Sequence, residues 1–231
     1  MERPPYATRM LAELIGTFGF LFIAYSGVAV SVLQPKAISS FGVAAAFGLG
    51  LAFMIFSFGQ VSGGHFNPAG TLGLTLGGQF PYREVLGYWA AQILGAIAAV
   101  GTAITLYSDE IETAVVNTPG PGVGDGEAFV LEAIATALFL IVISAVATDT
   151  RAPWSGVFAP AAIGGYHFIA LAVVGPFSGG SLNPARSLAP ALLANDFSDL
   201  WIYLVAPLVG GVIGGLVFLF VRSNRVGGGS A

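Results

Sequence analysis

The sequence contains no cysteine, which excludes disulfides, thiolate metal sites and cysteine nucleophiles. Charge is equally scarce: 9% of the 231 residues are Asp, Glu, Lys or Arg, against about 25% in an ordinary soluble domain. A soluble globular fold is therefore excluded. The 8 Lys and Arg against 12 acidic residues never form a basic run, so the clustered footprint of a nucleic-acid-binding protein is missing. No grouping of nucleophile, base and orienting residue is visible, so neither an enzyme nor a metal or other cofactor is expected. What is abundant points to a membrane. Hydrophobic residues make up 55% of the chain, glycines number 33 and mean hydropathy is +0.84; small residues let membrane helices approach closely. The N-terminal MERPPYATRM lacks a cleavable leader followed by polar sequence, so the first apolar stretch reads as a retained span.

The intervals between charges set out the spans, because a helix needs about 20 apolar residues to cross the hydrocarbon. Residues 14–35, 85–108 and 200–221 each fit one span, and 127–148 fits another if Glu132 is accommodated inside the bundle. Residues 37–82 and 152–185 are too long for one span and too short for two with a loop. In each, a full helix (about 41–60 and about 156–175) precedes a glycine-rich break and an apolar segment of about 11 residues, which reaches only halfway across. The expected fold is all-α, with six transmembrane helices and two half-membrane re-entrant helices.

Cytoplasmic loops are enriched in Lys and Arg. Six spans leave both termini on one side, which collects Arg3, Arg9, Arg83, Arg151, Arg222 and Arg225; the other side holds Lys36 with Asp109, Glu110, Glu112, Asp125 and Glu127. Both termini are expected to be cytoplasmic, with 108–126 as an extracellular link. The short termini fit a prokaryotic inner membrane.

An internal repeat organises the chain. SGGHFNPA at 62–69 recurs as SGGSLNPA at 178–185, matching at six of eight positions, and Glu13 and Thr17 recur as Glu132 and Thr136. One channel domain over 1–231 then consists of repeats at about 7–107 and 127–222. Each repeat holds three spans, an odd number, so the second is inverted relative to the first. The two short segments enter from opposite faces and should meet near the midplane.

Asn is a favoured N-cap and Pro a favoured first helical residue, so Asn67-Pro68 and Asn183-Pro184 begin the half-helices. Ala69 and Ala185 are small enough for the two ends to abut. If each Asn oxygen caps its own helix, its NH₂ group stays free to donate into the passage. Irregular backbone at this depth lines a cavity, which makes the carbonyls of Gly63, Gly64, His65, Phe66, Gly179, Ser181 and Leu182 a ladder of acceptors. Such a passage suits small neutral hydrogen-bonding molecules. Each half-helix directs an N-terminus worth about +0.5 of a charge at the centre, which repels cations and protons. After the second motif stands Arg186, the one charged residue between 152 and 195, where Gly70 stands after the first. A charge at membrane depth reads as functional.

Two Asn-Pro-Ala copies in this context, the second followed by Arg, on six spans with a repeated Glu, resemble the aquaporin, or major intrinsic protein, family over nearly the whole chain. The resemblance implies a right-handed bundle, a homotetramer with one pore per subunit, and selectivity set by pore width, lining hydrogen-bonding groups and electrostatic barriers, as in aquaporin-type pores. Ungapped matching around the motifs places the family's four outer constriction positions at Phe47, Leu171, Gly180 and Arg186. Strict water channels usually carry His where Leu171 stands, and a bulkier residue is common at Gly180, so this filter is wider and less polar. Glycerol channels usually carry Asp where Ser187 stands, and their long insertions are absent. Tyr203 suits a water channel; Leu204 replaces the Trp common after it. The sub-class signals are mixed, and the resemblance is taken to imply a prokaryotic-type water channel with an atypical filter.

Four features carry a structural and a functional alternative. His65 either bonds to backbone in its loop or gates the pore by titration, and the first is favoured. His167, four residues before Leu171 and so on the same helical face, lines the pore or lies in the core. Glu13 and Glu132 either accept hydrogen bonds from the loop backbone of their own half or relay protons, and their symmetry favours the first. Gly210, Gly211, Gly214 and Gly215 read as close helix contact. The expected function is passive passage of water and of small neutral solutes such as glycerol, ammonia or hydrogen peroxide across the bilayer, with ions and protons excluded. The rivals are a glycerol or polyol facilitator, a proton-coupled transporter using Glu13 and Glu132, and an adhesion protein with a vestigial pore.

Overall fold

The computed structural model describes residues 3–151 and 156–224. Arg225, placed with the basic residues above, and the stretch 152–155 lie outside the described residues. Among the described residues every regular element is helical. Six helices are long and apolar enough to cross a membrane: α1 (Tyr6–Leu33), α2 (Ser40–Ser62), α4 (Val85–Tyr107), α6 (Asp125–Ile143), α7 (Ala159–Ser178) and α9 (Leu200–Asn224). Two half-helices, α3 (Pro68–Leu76) and α8 (Pro184–Leu193), the single turn α5 (Ile111–Ala114), a 3-10 turn at Tyr82–Glu84 and a π turn at Ser144–Thr148 complete the set among the described residues. At 9 and 10 residues, the half-helices run about 14–15 Å, half the hydrocarbon thickness.

Charge did not delimit the first span. α1 begins at Tyr6 and carries both Arg9 and Glu13 within it, eight residues earlier than the apolar interval suggested. Arg9 is 6% exposed and is neutralised by Glu84, at the foot of α4, which also takes Arg3 at 2.9 Å. A paired charge no longer resists helix burial. α7 also starts three residues later than expected, at Ala159, with Pro160 in its first turn, where a missing N–H costs nothing.

α1 packs on α2 and α4, α6 on α7 and α9, and α2 on α7 joins the two halves. Each half-helix seats itself against the last helix of the opposite half as well as its own: α3 on α9, α8 on α4. Small residues make this closeness feasible. A Cβ added at Gly48 or Gly164 would strike the other's carbonyl across the α2–α7 crossing, and one at Gly210 or Gly214 would strike the carbonyl of Ala133 or Ala137 on α6. Leu49, Phe53 and Phe56 on α2, Leu138 on α6 and Phe220 on α9 are exposed, the surface that lipid covers in a membrane protein. Beyond α6, Asp149 accepts from Arg151, which holds its carboxyl down to about 2; Arg222 contributes in the same direction. Arg151 and Arg222, both of the second half, therefore share one end of the bundle.

Candidate functional site

The breaks after α2 and α7 follow the same backbone path. Gly63, Gly64 and Phe66 have φ of 98°, 64° and 48°, while Gly179, Gly180 and Leu182 have 87°, 62° and 54°. Glycine adopts that region freely; Phe66 and Leu182 pay about 1–2 kcal/mol each. Buried carboxylates hold them there. Glu13 accepts from the amides of Phe66 (2.8 Å) and His65 (3.0 Å), the Ser62 hydroxyl (2.6 Å) and Gln92 Nε2 (2.8 Å). Glu132 accepts from the amides of Leu182 and Ser181, both at 2.8 Å, and from the Ser178 hydroxyl at 2.7 Å. Neither carboxylate is exposed at all. Charge-assisted bonds of this kind are about twice as strong as neutral ones, enough to outweigh the backbone strain.

The half-helices begin at the two asparagines. Asn67 Oδ1 accepts from the amides of Ala69 (2.8 Å) and Gly70 (3.4 Å), and Asn183 Oδ1 from those of Ala185 (3.0 Å) and Arg186 (3.4 Å). Their NH₂ groups, expected to be wholly free, are not. Asn67 Nδ2 donates to the Leu182 carbonyl at 2.8 Å and Asn183 Nδ2 to the Phe66 carbonyl at 2.9 Å. The helix ends lie close enough for each cap to reach the other's loop. One hydrogen per asparagine remains for a guest. Of the ladder carbonyls, those of Phe66 and Leu182 are thus engaged, and that of Gly179 accepts from Asn117 at 2.8 Å. The carbonyls of Gly63, Gly64, His65 and Ser181 accept no hydrogen bond among the described residues.

A second symmetric layer braces these loops, and the sequence reading missed it. Tyr88 donates to the Ser62 carbonyl at 2.6 Å and Tyr203 to the Ser178 carbonyl at 2.7 Å. His65 Nδ1 lies 3.1 Å from the Thr71 hydroxyl, while Ser181 lies 2.5 Å from the Ser187 hydroxyl. Extending the repeat past Asn-Pro-Ala would have paired Thr71 with Ser187 and set His65 against Ser181. Thr71 donates its one hydrogen to the Asn67 carbonyl and accepts from Gln92, so His65 Nδ1 carries a hydrogen and donates. His65 therefore bonds a side chain in its half-helix, not the loop backbone anticipated for it. Ser187 donates to Asn117 Oδ1 at 2.7 Å. The link between halves is folded onto the second break: Gly120 N also donates to the Phe177 carbonyl at 2.7 Å.

A cavity of about 860 Å³ runs in from the end carrying Arg3 and Val157, past Gly63, Gly64 and His65, to Asn67, Asn183 and His167. Phe47, Leu171, Gly180 and Arg186 do not line it; they gather beyond it, on the α5 side. Arg186 is 6% exposed; its guanidinium stands 5.1 Å from the Phe47 ring centroid and donates to the Val115 carbonyl at 3.4 Å. The Arg186 carbonyl in turn accepts from Tyr25 at 2.7 Å. Leu171 and Gly180 adjoin, since a Cβ on Gly180 would lie 3.3 Å from Leu171 Cγ and 3.1 Å from Gly175 Cα. The glycine is thus demanded by φ of +62° and by close packing.

Comparison with known proteins agrees with this geometry. The family described as Major intrinsic protein matches residues 1–218. The chain belongs to the major intrinsic protein family. Among its relatives in that family, "Aquaporin NIP3-1" of Arabidopsis thaliana is 38% identical over 95% of this chain and 69% of its own length. "Aquaporin NIP1-1" of Zea mays is 36% identical over 94% and 76%, and "Nodulin-26" of Glycine max 38% identical over 94% and 79%. The aquaglyceroporin of Plasmodium falciparum has the same major intrinsic protein fold, with a TM-score of 0.89 at 24% identity over 96% of this chain and 99% of that one. The fold is thus the expected six spans and two half-helices. The three sequence relatives are plant proteins, and they lend no support to the expected prokaryotic-type sub-class or prokaryotic inner membrane.

Proposed function

We propose that the protein is a passive channel for water that also admits small neutral solutes and excludes ions and protons. One observation carries this reading: two half-helices point their N-termini at one place, with an asparagine hydrogen left on each. A guest oxygen arriving there meets donors from both asparagines, while the unengaged loop carbonyls accept its own hydrogens. Donors at the centre and acceptors on either side turn successive guests in opposite senses, which interrupts a proton wire. The positive helix ends add a barrier to cations, and an ion would have no replacement for its hydration shell. Arg186 adds a full charge and further donors at the expected constriction.

Phe47, Leu171, Gly180 and Arg186 form the selectivity filter in this reading. Leu171 and Gly180 widen it, which favours a glycerol or polyol facilitator as the second reading. A proton-coupled transporter is less well served, because the loop backbone already occupies Glu13 and Glu132. The topology proposed has both termini cytoplasmic, repeats at about 7–107 and 127–222 in one channel domain, and a homotetramer with one pore per subunit.

The test is stopped-flow light scattering on proteoliposomes beside empty liposomes. Fast shrinkage in an impermeant osmolyte with slow glycerol re-swelling identifies a strict water channel. Fast shrinkage followed by rapid re-swelling identifies a broad neutral-solute channel. Shrinkage no faster than that of empty liposomes overturns the proposal.

A further inference from the structure

His167 stands on α7 one turn before Leu171 and is 1% exposed. Neither of its ring nitrogens has a hydrogen-bond partner among the described residues, although buried polar groups almost always find one. Three rings hold the imidazole in place: Phe139 at 5.3 Å between centroids, Phe20 at 5.7 Å edge-on, and Phe47 at 6.4 Å. None of them offers a nitrogen a partner of ordinary strength. His167 also lies in the wall of the cavity, together with Asn67 and Asn183. On its other flank stands Phe47, a member of the expected constriction, whose ring carries the Arg186 guanidinium.

We propose that His167 is a hydrogen-bonding station for permeating solute, set between the arginine constriction and the asparagine pair, and that it favours neutral solutes bearing several hydroxyls, such as small polyols. This rests on the channel reading above. The asparagine hydrogens only donate and the loop carbonyls only accept, whereas a neutral imidazole presents one donor and one acceptor. A hydroxyl can pair with any of these. A polyol confined here has more than one hydroxyl to satisfy at once, and an aliphatic residue at 167 would leave one of them unpaired. A water molecule loses less, because it carries a single oxygen that the asparagines and carbonyls already serve.

The experiment compares wild type, His167→Leu and His167→Gln in proteoliposomes, with the ratio of glycerol to water permeability as the readout. His167→Leu should lower that ratio roughly five-fold, the size of one lost hydrogen bond. His167→Gln keeps a donor and an acceptor and should stay within about two-fold of wild type. His167→Val is the second apolar variant if His167→Leu does not reconstitute. An unchanged ratio in the apolar variant, a ratio that falls equally in His167→Gln, or a wild type that conducts water but no glycerol each overturns the station while leaving the water-channel reading intact. A wild type that conducts no water overturns both.

Discussion

The Asn67 side chain donates to the carbonyl of Leu182 at 2.8 Å, so the cap of one half-helix is bonded to the strained residue of the other loop. The bond from Asn183 to Phe66 completes the exchange at 2.9 Å. Either loop is therefore held by a carboxylate from its own half and an amide from the opposite one.

Asn67→Asp separates the two roles of this residue. The carboxylate still caps α3, but it cannot donate to Leu182 and it brings a negative charge to the centre of the passage. Cation leak should rise in proteoliposomes while the helix cap is kept. An unaltered leak, measured with a fluorescent pH or cation indicator, would assign the barrier to Arg186 alone.

The two buried carboxylates should differ in tolerance. Glu13→Gln has a rescue available, because Gln92 Oε1 is unpaired and can turn toward the new NH₂ group. Pro207 occupies the corresponding place in the second half, 115 residues on, as Tyr203 does for Tyr88. Glu132→Gln should therefore lose more thermal stability in detergent, about 1–3 kcal/mol for an amide left unpaired. A proton-relay role predicts the reverse signature, with an intact fold and water flux that loses its dependence on a pH gradient.

Arg186→Ala should raise proton or cation leak per unit of water flux. It removes the guanidinium charge of the expected constriction, together with the contact to Phe47. If the leak does not move, the half-helix ends suffice.

Leu171→His should narrow the solute range, because an imidazole there adds bulk and polarity against Gly180, which it adjoins. Glycerol re-swelling should slow relative to water shrinkage. Glycerol uptake that survives the change would show that Leu171 is not the filter position.

The duplicated Asn-Pro-Ala, the repeated glutamate and the half-length apolar segments could be read directly, because capping, proline at the first helical turn and bilayer thickness are local rules. They set the element order, the two breaks and the residues at the meeting point. What local rules omit is pairing across the fold. Arg9 sits inside α1 because Glu84 neutralises it from the foot of α4, a partner 75 residues away that apolar intervals do not reveal. The asparagine hydrogens are half spent because the opposite loop lies within reach. His65 is tied to Thr71, whereas His167, in the wall of the same cavity, has no hydrogen-bond partner among the described residues. Both histidines look alike in the sequence. Only the tertiary structure decides which of them finds a hydrogen-bond partner, because hydrogen-bond satisfaction belongs to the three-dimensional surroundings of a side chain and not to its neighbours in the chain.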